Sequence, residues 1–450
     1  MIYSLLSCLM LASAGAAPVM DSLALQAGPA PAAAPEPAGP KLRDWTVMVY
    51  MNGKSNIEPF ALADLNRFET VGSTEKVAIV AEIGRSRGLD NDTAADGDWA
   101  GVRRYFVTKD ADMDHIASPM LADLGSPDMG DWKQAAAFLK WAKAEYPAKK
   151  YLFIIWDHGW GWLDPVKPGE GRGAKSISHD FVTGNYIATR EMGKIFREAG
   201  KVDVYVSMAC FMQMAEVAYE IKDGADVIVG AEEVIQLPSL NWEDFLARLT
   251  AAPAAGAEAA GASLVDTFGE MYSRPEMQEL LAQGGYGTQL SAIRGAKLAG
   301  LVKKLKAWYR LAMAADDRAA LAKAKAGVVR FEIGDPSTDP DKQIAFYGDL
   351  HHFVELAGRH ADASRPGATA ALAAGAELNR FITSELVIKN AALGRDRTGK
   401  EFSSVKGLAV NIPGRPGTLI EYYPTYSKLS FAQDSGWEAF MKYLDGIENR

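Results

Sequence analysis

VDVYVSMACFMQ, residues 202–213, is an apolar run that leads into the cysteine Cys210. A second run, YLFIIW at 151–156, leads in the same way into the histidine His158. Both runs are apolar at nearly every position, which is typical of strands that helices cover on both faces of a parallel sheet. The sequence therefore predicts two buried parallel strands, each ending beside a residue with reactive chemistry.

Short apolar runs alternate with amphipathic segments along the first half of the chain. Further strands are predicted at 45–51, 77–83, 102–107 and 227–230, and helices at 133–146 and 189–199, the second ended by Gly200. This order predicts an α/β sandwich over residues 43–245. Residues 246–450 are rich in alanine with helical spacing, so we expect a mostly helical C-terminal accessory region, with GLAVNIP at 407–413 as an added edge strand.

The composition is that of a globular protein with a large core. The 450 residues are 48% hydrophobic and 23% charged, and the net charge of −9 provides no basic surface for a polyanion. A nucleic-acid partner is therefore excluded. No stretch after the first twenty residues reaches 18 consecutive apolar positions, so no transmembrane helix is predicted.

The N-terminal residues have the pattern of an export signal. Residues 1–17 are an apolar run followed by small residues, which predicts a cleaved signal peptide, and 18–42 are a proline- and alanine-rich linker. An alternative is a lipoprotein signal with a lipid anchor at Cys8. Either route predicts an exported protein, secreted, periplasmic or on the outer surface. Removal of the leader at the predicted cleavage site leaves Cys210 as the one cysteine, without an intramolecular disulfide.

His158 and Cys210 are both predicted at the carboxyl ends of their strands, where open parallel sheets form their sites. Neighbouring strands lie about 4.8 Å apart, so adjacent strands would bring the two side chains together as a base and a nucleophile. We expect a helix to begin directly after Cys210 and to favour its thiolate. The backbone amides of Gly159 and Cys210 are the predicted oxyanion hole. The alternative for a single cysteine at a strand end is a small core residue.

Three segments resemble the clostripain family of cysteine peptidases: WTVMVYMNGKSNIE, IIWDHGWGW and ACFMQMAEVAYEIKDGADVIVGAEE. The resemblance continues in order through TQLSAIRGAKLAGLVKKL, FYGDLHHFVELA and KGLAVNIP and covers about 44–446. It implies a caspase-like fold, with a mainly parallel β-sheet sandwiched by helices, and an endopeptidase acting on protein or peptide substrates. On this resemblance His158 is the general base and Cys210 the nucleophile.

Met208 departs from the pattern of this family. The family usually has an acidic residue two positions before the cysteine, where it selects arginine or lysine in the S1 pocket. A methionine cannot pair with a buried cation, which predicts a neutral or apolar P1 residue. The competing hypothesis is that Glu232, Glu233 or Asp180 supplies the charge. Trp242 is predicted to border the same pocket.

The resemblance leaves three further questions open. Some relatives cleave themselves between the histidine and the cysteine, where this chain offers Lys167, Arg172 and Lys175. No cofactor is needed for the chemistry, although some relatives depend on calcium; DADMDH at 110–115 lacks the glycine and glutamate of an EF-hand. The alternative function is a catalytically degenerate family member that binds peptide or cell-envelope material.

Overall fold

The computed structural model describes residues 42–164, 176–333, 344–395, 398–414 and 422–447. In these ranges the strands are β1 Arg43–Gly53, β2 Val77–Arg85, β3 Gly101–Phe106, β4 Met120–Asp123, β5 Ala148–Trp156, β6 Val202–Met208, β7 Ala225–Gly230, β8 Thr288–Arg294, β9 Arg330–Ile333, β10 Ile344–Asp349, β11 Val387–Leu393 and β12 Ala409–Asn411.

Nine of these strands form a central sheet in the order β11-β8-β7-β6-β5-β1-β2-β3-β4. The five inner strands β7, β6, β5, β1 and β2 run parallel, and antiparallel pairs extend the sheet at both edges. The α/β class and the strands predicted from the first half of the sequence are confirmed. These strands lie inside the sheet because their residues are apolar on both faces, and burial of both faces requires helices on each side.

The helices of the described ranges lie on both faces of the sheet. Their bounds are α1 Glu58–Glu69, α2 Trp132–Glu145, α3 Thr189–Ala199, α4 Ala215–Glu220, α5 Trp242–Ala251, α6 Ala257–Tyr272, α7 Pro275–Gly284, α8 Leu298–Ala315, α9 Arg318–Gly327, α10 Leu350–His360, α11 Ala368–Phe381, α12 Tyr423–Tyr426, α13 Ser430–Ser435 and α14 Trp437–Asp445. None of them has the length and apolar character needed to cross a membrane.

Alternate residues of each inner strand enter two separate apolar cores. In β6, Val204 and Val206 pack on the side of α1, α5 and α6, while Tyr205 packs on the side of α2, α3 and α8. Trp156 and Met208, the last residues of β5 and β6, both lie in the first of these cores. The alternation follows from the two-residue period of a strand, and it fixes which helices surround the end of each strand.

The C-terminal half is part of the central sheet. Strands β8 and β11 both come from residues 246–450, so the sheet crosses the predicted boundary at residue 245. The prediction that GLAVNIP adds an edge strand to the central sheet was wrong. Its strand β12 pairs with β10 in a separate three-stranded sheet that also contains β9. Its apolar residues Ala409 and Val410 are buried, and Ala409 also forms a single parallel bridge with Met214, contacts that a strand pattern alone does not reveal.

Candidate active site

His158 and Cys210 lie at matching positions on neighbouring strands. β5 and β6 pair in parallel with Trp156 opposite Met208, and each reactive residue follows two positions later. Both side chains line one cavity of about 520 Å³ at the carboxyl end of the sheet. The shared register thus puts both residues on one cavity at the sheet edge where the sequence predicted a site.

Gly159 lies against the backbone of the cysteine loop. A Cβ atom placed on Gly159 would be 2.3 Å from the carbonyl oxygen of Cys210, 3.0 Å from its nitrogen and 2.9 Å from Cβ of Ala209. Heavy atoms do not approach so closely, so only a glycine allows the two loops this contact. The backbones of Gly159 and Cys210, the predicted oxyanion donors, are therefore adjacent.

The helix predicted to begin at Cys210 begins later. Helix α4 starts at Ala215 and is six residues long, and Phe211 has a left-handed φ of 62°. The intervening residues turn away to contact the next strand, with the amide of Gln213 donating to the carbonyl of Ala231 at 2.9 Å. The expectation that a helix terminus stabilises the Cys210 thiolate was therefore wrong.

Asn56 is the partner of His158 that the sequence did not indicate. Nε2 of His158 lies 2.7 Å from Oδ1 of Asn56, which follows β1 in the loop before α1. An amide oxygen only accepts hydrogen bonds, so this contact places the imidazole proton on Nε2 and makes Nδ1 the basic nitrogen. The ring of Phe181 lies nearly parallel to that of His158, with centroids 6.3 Å apart.

Asp157 organises the loop around the histidine. Its Oδ1 accepts from the amide of His158 at 2.6 Å, and its Oδ2 accepts from the amide of His179. The carboxylate is 5% exposed and also lies 3.5 Å from Nδ2 of Asn52. Because both short contacts are to backbone amides, Asp157 fixes the path of the chain on either side of the site.

The wall of the cavity beside Met208 contains a buried ion pair. Nη1 of Arg67 donates to Oδ1 of Asp64 at 3.0 Å, and Nε1 of Trp156 donates to Oδ2 at 2.7 Å. Burial raises the pKa of Asp64 to about 6, because desolvation outweighs the favourable contact with Arg67. The remaining wall is mostly apolar, formed by Ile57, Phe60, Ala63, Val234, Ile235 and Leu237.

Of the three residues predicted for the S1 pocket, Met208 lines this cavity and Glu232 and Trp242 do not. The buried side chain of Glu232 lies near Asp349 and the backbone of Gly407, both in the C-terminal half. Burial, and then the carboxyl of Asp349, raise its pKa well above the usual range. Trp242 begins α5 and packs on Phe68 in the core, with ring centroids 4.9 Å apart. Both placements correct the prediction.

The other proposed sources of charge are also occupied. Asp180 forms a buried ion pair with Nζ of Lys54 at 2.6 Å, and Oε1 of Glu233 accepts from the amide of Val234 at 2.8 Å. The self-cleavage candidates Lys167, Arg172 and Lys175 lie outside the described residues, as do the predicted signal peptide with Cys8 and the linker up to residue 41.

A parallel sheet that carries a histidine and a cysteine at the ends of neighbouring strands is the arrangement of caspase-like cysteine peptidases. The chain belongs to the clostripain family, whose model matches residues 49–444. Clostripain of Hathewaya histolytica is 24% identical over 221 residues, which are 46% of this chain and 42% of that relative. The match thus spans less than half of the length of that protein.

Two solved structures share the fold across most of the chain. One is a secreted C11 cysteine protease from Bacteroides thetaiotaomicron in complex with an irreversible peptide inhibitor, 17% identical with a TM-score of 0.59. The other is an inactive zymogen C11 protease from Parabacteroides distasonis, 16% identical with a TM-score of 0.61. Each comparison covers 88% of this chain and 99% of the other. The predicted family and caspase-like fold are confirmed.

Proposed function

We propose that this protein is an exported cysteine endopeptidase that hydrolyses peptide bonds with Cys210 as nucleophile and His158 as base. The observation that supports this most directly is the register of β5 and β6, since it places both residues on one cavity. Membership of the clostripain family supports the same reaction class. The substrate is a protein or peptide, and the leader at 1–17, or a lipid anchor at Cys8, provides the route of export.

The reaction proceeds through a covalent acyl-enzyme. His158 takes the proton of the Cys210 thiol, and the sulfur attacks the scissile carbonyl carbon to form the C–S bond. The backbone amides of Gly159 and Cys210 stabilise the oxyanion. When the C–N bond breaks, the imidazolium returns its proton to the leaving amine. Water activated by His158 then hydrolyses the thioester and restores the thiol.

No step of this mechanism requires a metal ion, because the thiol and the imidazole supply nucleophile and base. Within the described ranges there is no cluster of three or more His, Cys, Asp or Glu side chains arranged to hold a metal. In the DADMDH segment, Oδ1 of Asp112 accepts a hydrogen bond from the backbone amide of Asp114, and Oδ2 contacts Nδ1 of His115. We propose that the chemistry itself needs no cofactor, with calcium dependence as in some relatives kept as the alternative.

Substitution of the nucleophile tests the proposal. Cys210→Ala should abolish hydrolysis of a peptide library, and His158→Ala should abolish both hydrolysis and fast alkylation of Cys210 by iodoacetamide. His115→Ala is the matched control, because the side chain of His115 is 68% exposed and lies in another segment. Hydrolysis retained in Cys210→Ala would refute the assignment. Peptide binding by the wild type without any hydrolysis would favour the degenerate binding protein instead.

A further inference from the structure

The cavity beside Cys210 contains a cation of the protein itself. Arg67 and Asp64 lie one turn apart on α1, line the cavity and have side chains that are 14% and 7% exposed. Trp156 donates to the same carboxylate and lies opposite Met208 in the sheet register. The guanidinium of Arg67 is therefore paired with Asp64, the lining carboxylate next to Trp156.

All five N–H groups of Arg67 have acceptors. Nε and Nη2 donate to the two carboxylate oxygens of Glu243, each at 2.7 Å. Nη2 also donates to the carbonyl of Leu240 at 2.6 Å, and Nη1 donates to the carbonyl of Pro238 at 2.8 Å as well as to Asp64. Such a guanidinium is fixed in place and has no donor left for an acidic ligand.

Each carboxylate of the cavity wall already has partners within the protein. Glu243 is not one of the residues that line the cavity, and its side chain is 35% exposed, so solvent screens it on the outer side of Arg67. The cavity is lined by one arginine, Arg67, and by two carboxylates, Asp64 and Asp157. The backbone amides of His158 and His179 donate to Asp157. Burial raises the pKa of Asp64 even with this partner, which shows how costly the carboxylate would be without a cation.

We propose that Arg67 is the residue that determines P1 specificity: its guanidinium pairs with Asp64 in the wall of the S1 pocket and so restricts the pocket to apolar P1 side chains. The inference rests on the proposed peptidase function. A lysine or arginine at P1 would lie desolvated beside Arg67, with Asp64 already paired, and like charges in such a site repel. An apolar side chain instead meets Met208 and the apolar wall.

A pair of variants tests this assignment through a ratio of rates. Matched peptides that differ only in P1, with Leu, Lys or Arg, give the ratio of kcat/KM for basic over apolar P1. We expect the wild type to favour Leu and Arg67→Met to raise the ratio by at least about 10-fold, because Asp64 then needs a cation from the substrate. Asp64→Asn added to Arg67→Met should remove the gain, and Arg67→Lys should retain the low ratio of the wild type.

Arg248→Met is the matched control, since Arg248 pairs with Glu270 at the surface and should leave the ratio unchanged. A second measurement uses only the wild type and so does not depend on the folding of any variant. Agmatine, a guanidinium compound, should not protect Cys210 from alkylation by iodoacetamide, whereas a peptide with Leu at P1 should protect it. Three outcomes would overturn the assignment of Arg67 and leave the peptidase function standing. They are protection by agmatine, Cys210-dependent cleavage mainly after Arg or Lys, and an unchanged ratio of kcat/KM in a folded Arg67→Met. Absence of any Cys210-dependent cleavage would overturn the peptidase function together with it.

Discussion

At the scale of single residues, Asn56 decides which nitrogen of His158 acts. The loop after β1 carries Asn56 to Nε2 of His158 at 2.7 Å, across 102 positions of sequence. A histidine that accepts a thiol proton must have its lone pair on the nitrogen that faces the sulfur, and the hydrogen bond on the other nitrogen selects that tautomer. Asn56 is therefore a positioning residue for the proposed base.

We predict that Asn56→Ala lowers kcat by about 10- to 100-fold with little change in KM, because the ring loses its fixed tautomer and orientation. Asn56→Asp keeps an acceptor at the same position and should recover much of the rate. Steady-state kinetics of both variants check this, with Asn379→Ala on α11 as the control. An equal loss in the Ala and Asp variants would indicate that Asn56 acts only through packing.

At the scale of elements, the two catalytic loops are held together by backbone contact. The loop between β6 and α4 is fixed from two sides: Gln213 donates to Oγ of Ser291 on β8 at 3.0 Å, and its carbonyl accepts from Ala409 on β12 at 3.0 Å. The opposite loop approaches Cys210 through Gly159. Neither loop can retreat freely from the other.

Gly159→Ala should therefore reduce kcat by about 100-fold or more, because its methyl group would displace the carbonyl of Cys210 by a large fraction of an ångström. The control is Gly256→Ala, where φ is −79° and no atom lies within 4 Å of the added Cβ. Circular dichroism should show an unchanged fold for both. Wild-type kcat in Gly159→Ala would mean that the loops do not need this contact.

Sequence patterns predicted the elements better than the contacts between them. The apolar runs ending at Trp156 and Met208 indicated the strands and the shared edge at which His158 and Cys210 lie, because both follow from local periodicity and the geometry of parallel sheets. The spacing of FMQMAEVAYE also resembled a helix from Phe211 onward. Tertiary contacts of Gln213 with β8 overrode that local preference.

The polar neighbours of the site could not be predicted for a related reason. Asn56 and Asp64 reach His158 and Trp156 only after β1, α1 and β5 have packed, and their spacing in the sequence carries no motif. Glu232 was predicted beside the substrate as a carboxylate that could supply, from a neighbouring loop, the charge that Met208 lacks. Its side chain instead lies near Asp349, in a part of the chain that the sequence had assigned to an accessory region.

At the scale of the whole molecule, a buried glutamate joins the catalytic loops to the C-terminal half. Oε1 of Glu216, on α4, accepts from the amide of Asn411 on β12 and from the hydroxyl of Tyr426 on α12, both at 2.9 Å. The side chain is fully buried, and burial raises its pKa to about 7 in spite of these two donors. The folded protein therefore retains a proton that the unfolded chain releases near pH 4.5.

This difference makes the free energy of unfolding depend on pH. Because the folded state binds more protons between pH 4.5 and about 7, the stability due to Glu216 is complete below pH 4.5 and is lost as pH rises through 7. At about 1.4 kcal/mol per pH unit, the loss is on the order of 3 kcal/mol. The pKa values of Asp164 and Asp349 are raised to about 7 and about 6, so these residues also make the free energy of unfolding fall as the pH rises.

Glu216→Gln should remove the contribution of Glu216 to the pH dependence of the free energy of unfolding and leave the contributions of Asp164 and Asp349. We expect the melting temperature of the wild type to fall more steeply than that of the variant between pH 5.5 and 8.5, so that the difference between them shrinks or reverses as the pH rises. Glu258→Gln is the control: its carboxyl pairs with Arg294 at the surface, which lowers its pKa and leaves it ionised throughout this range. If the melting temperatures of Glu216→Gln and the wild type changed in parallel with pH, Glu216 would be ionised in the folded protein. Its buried contacts would then not make the stability depend on pH.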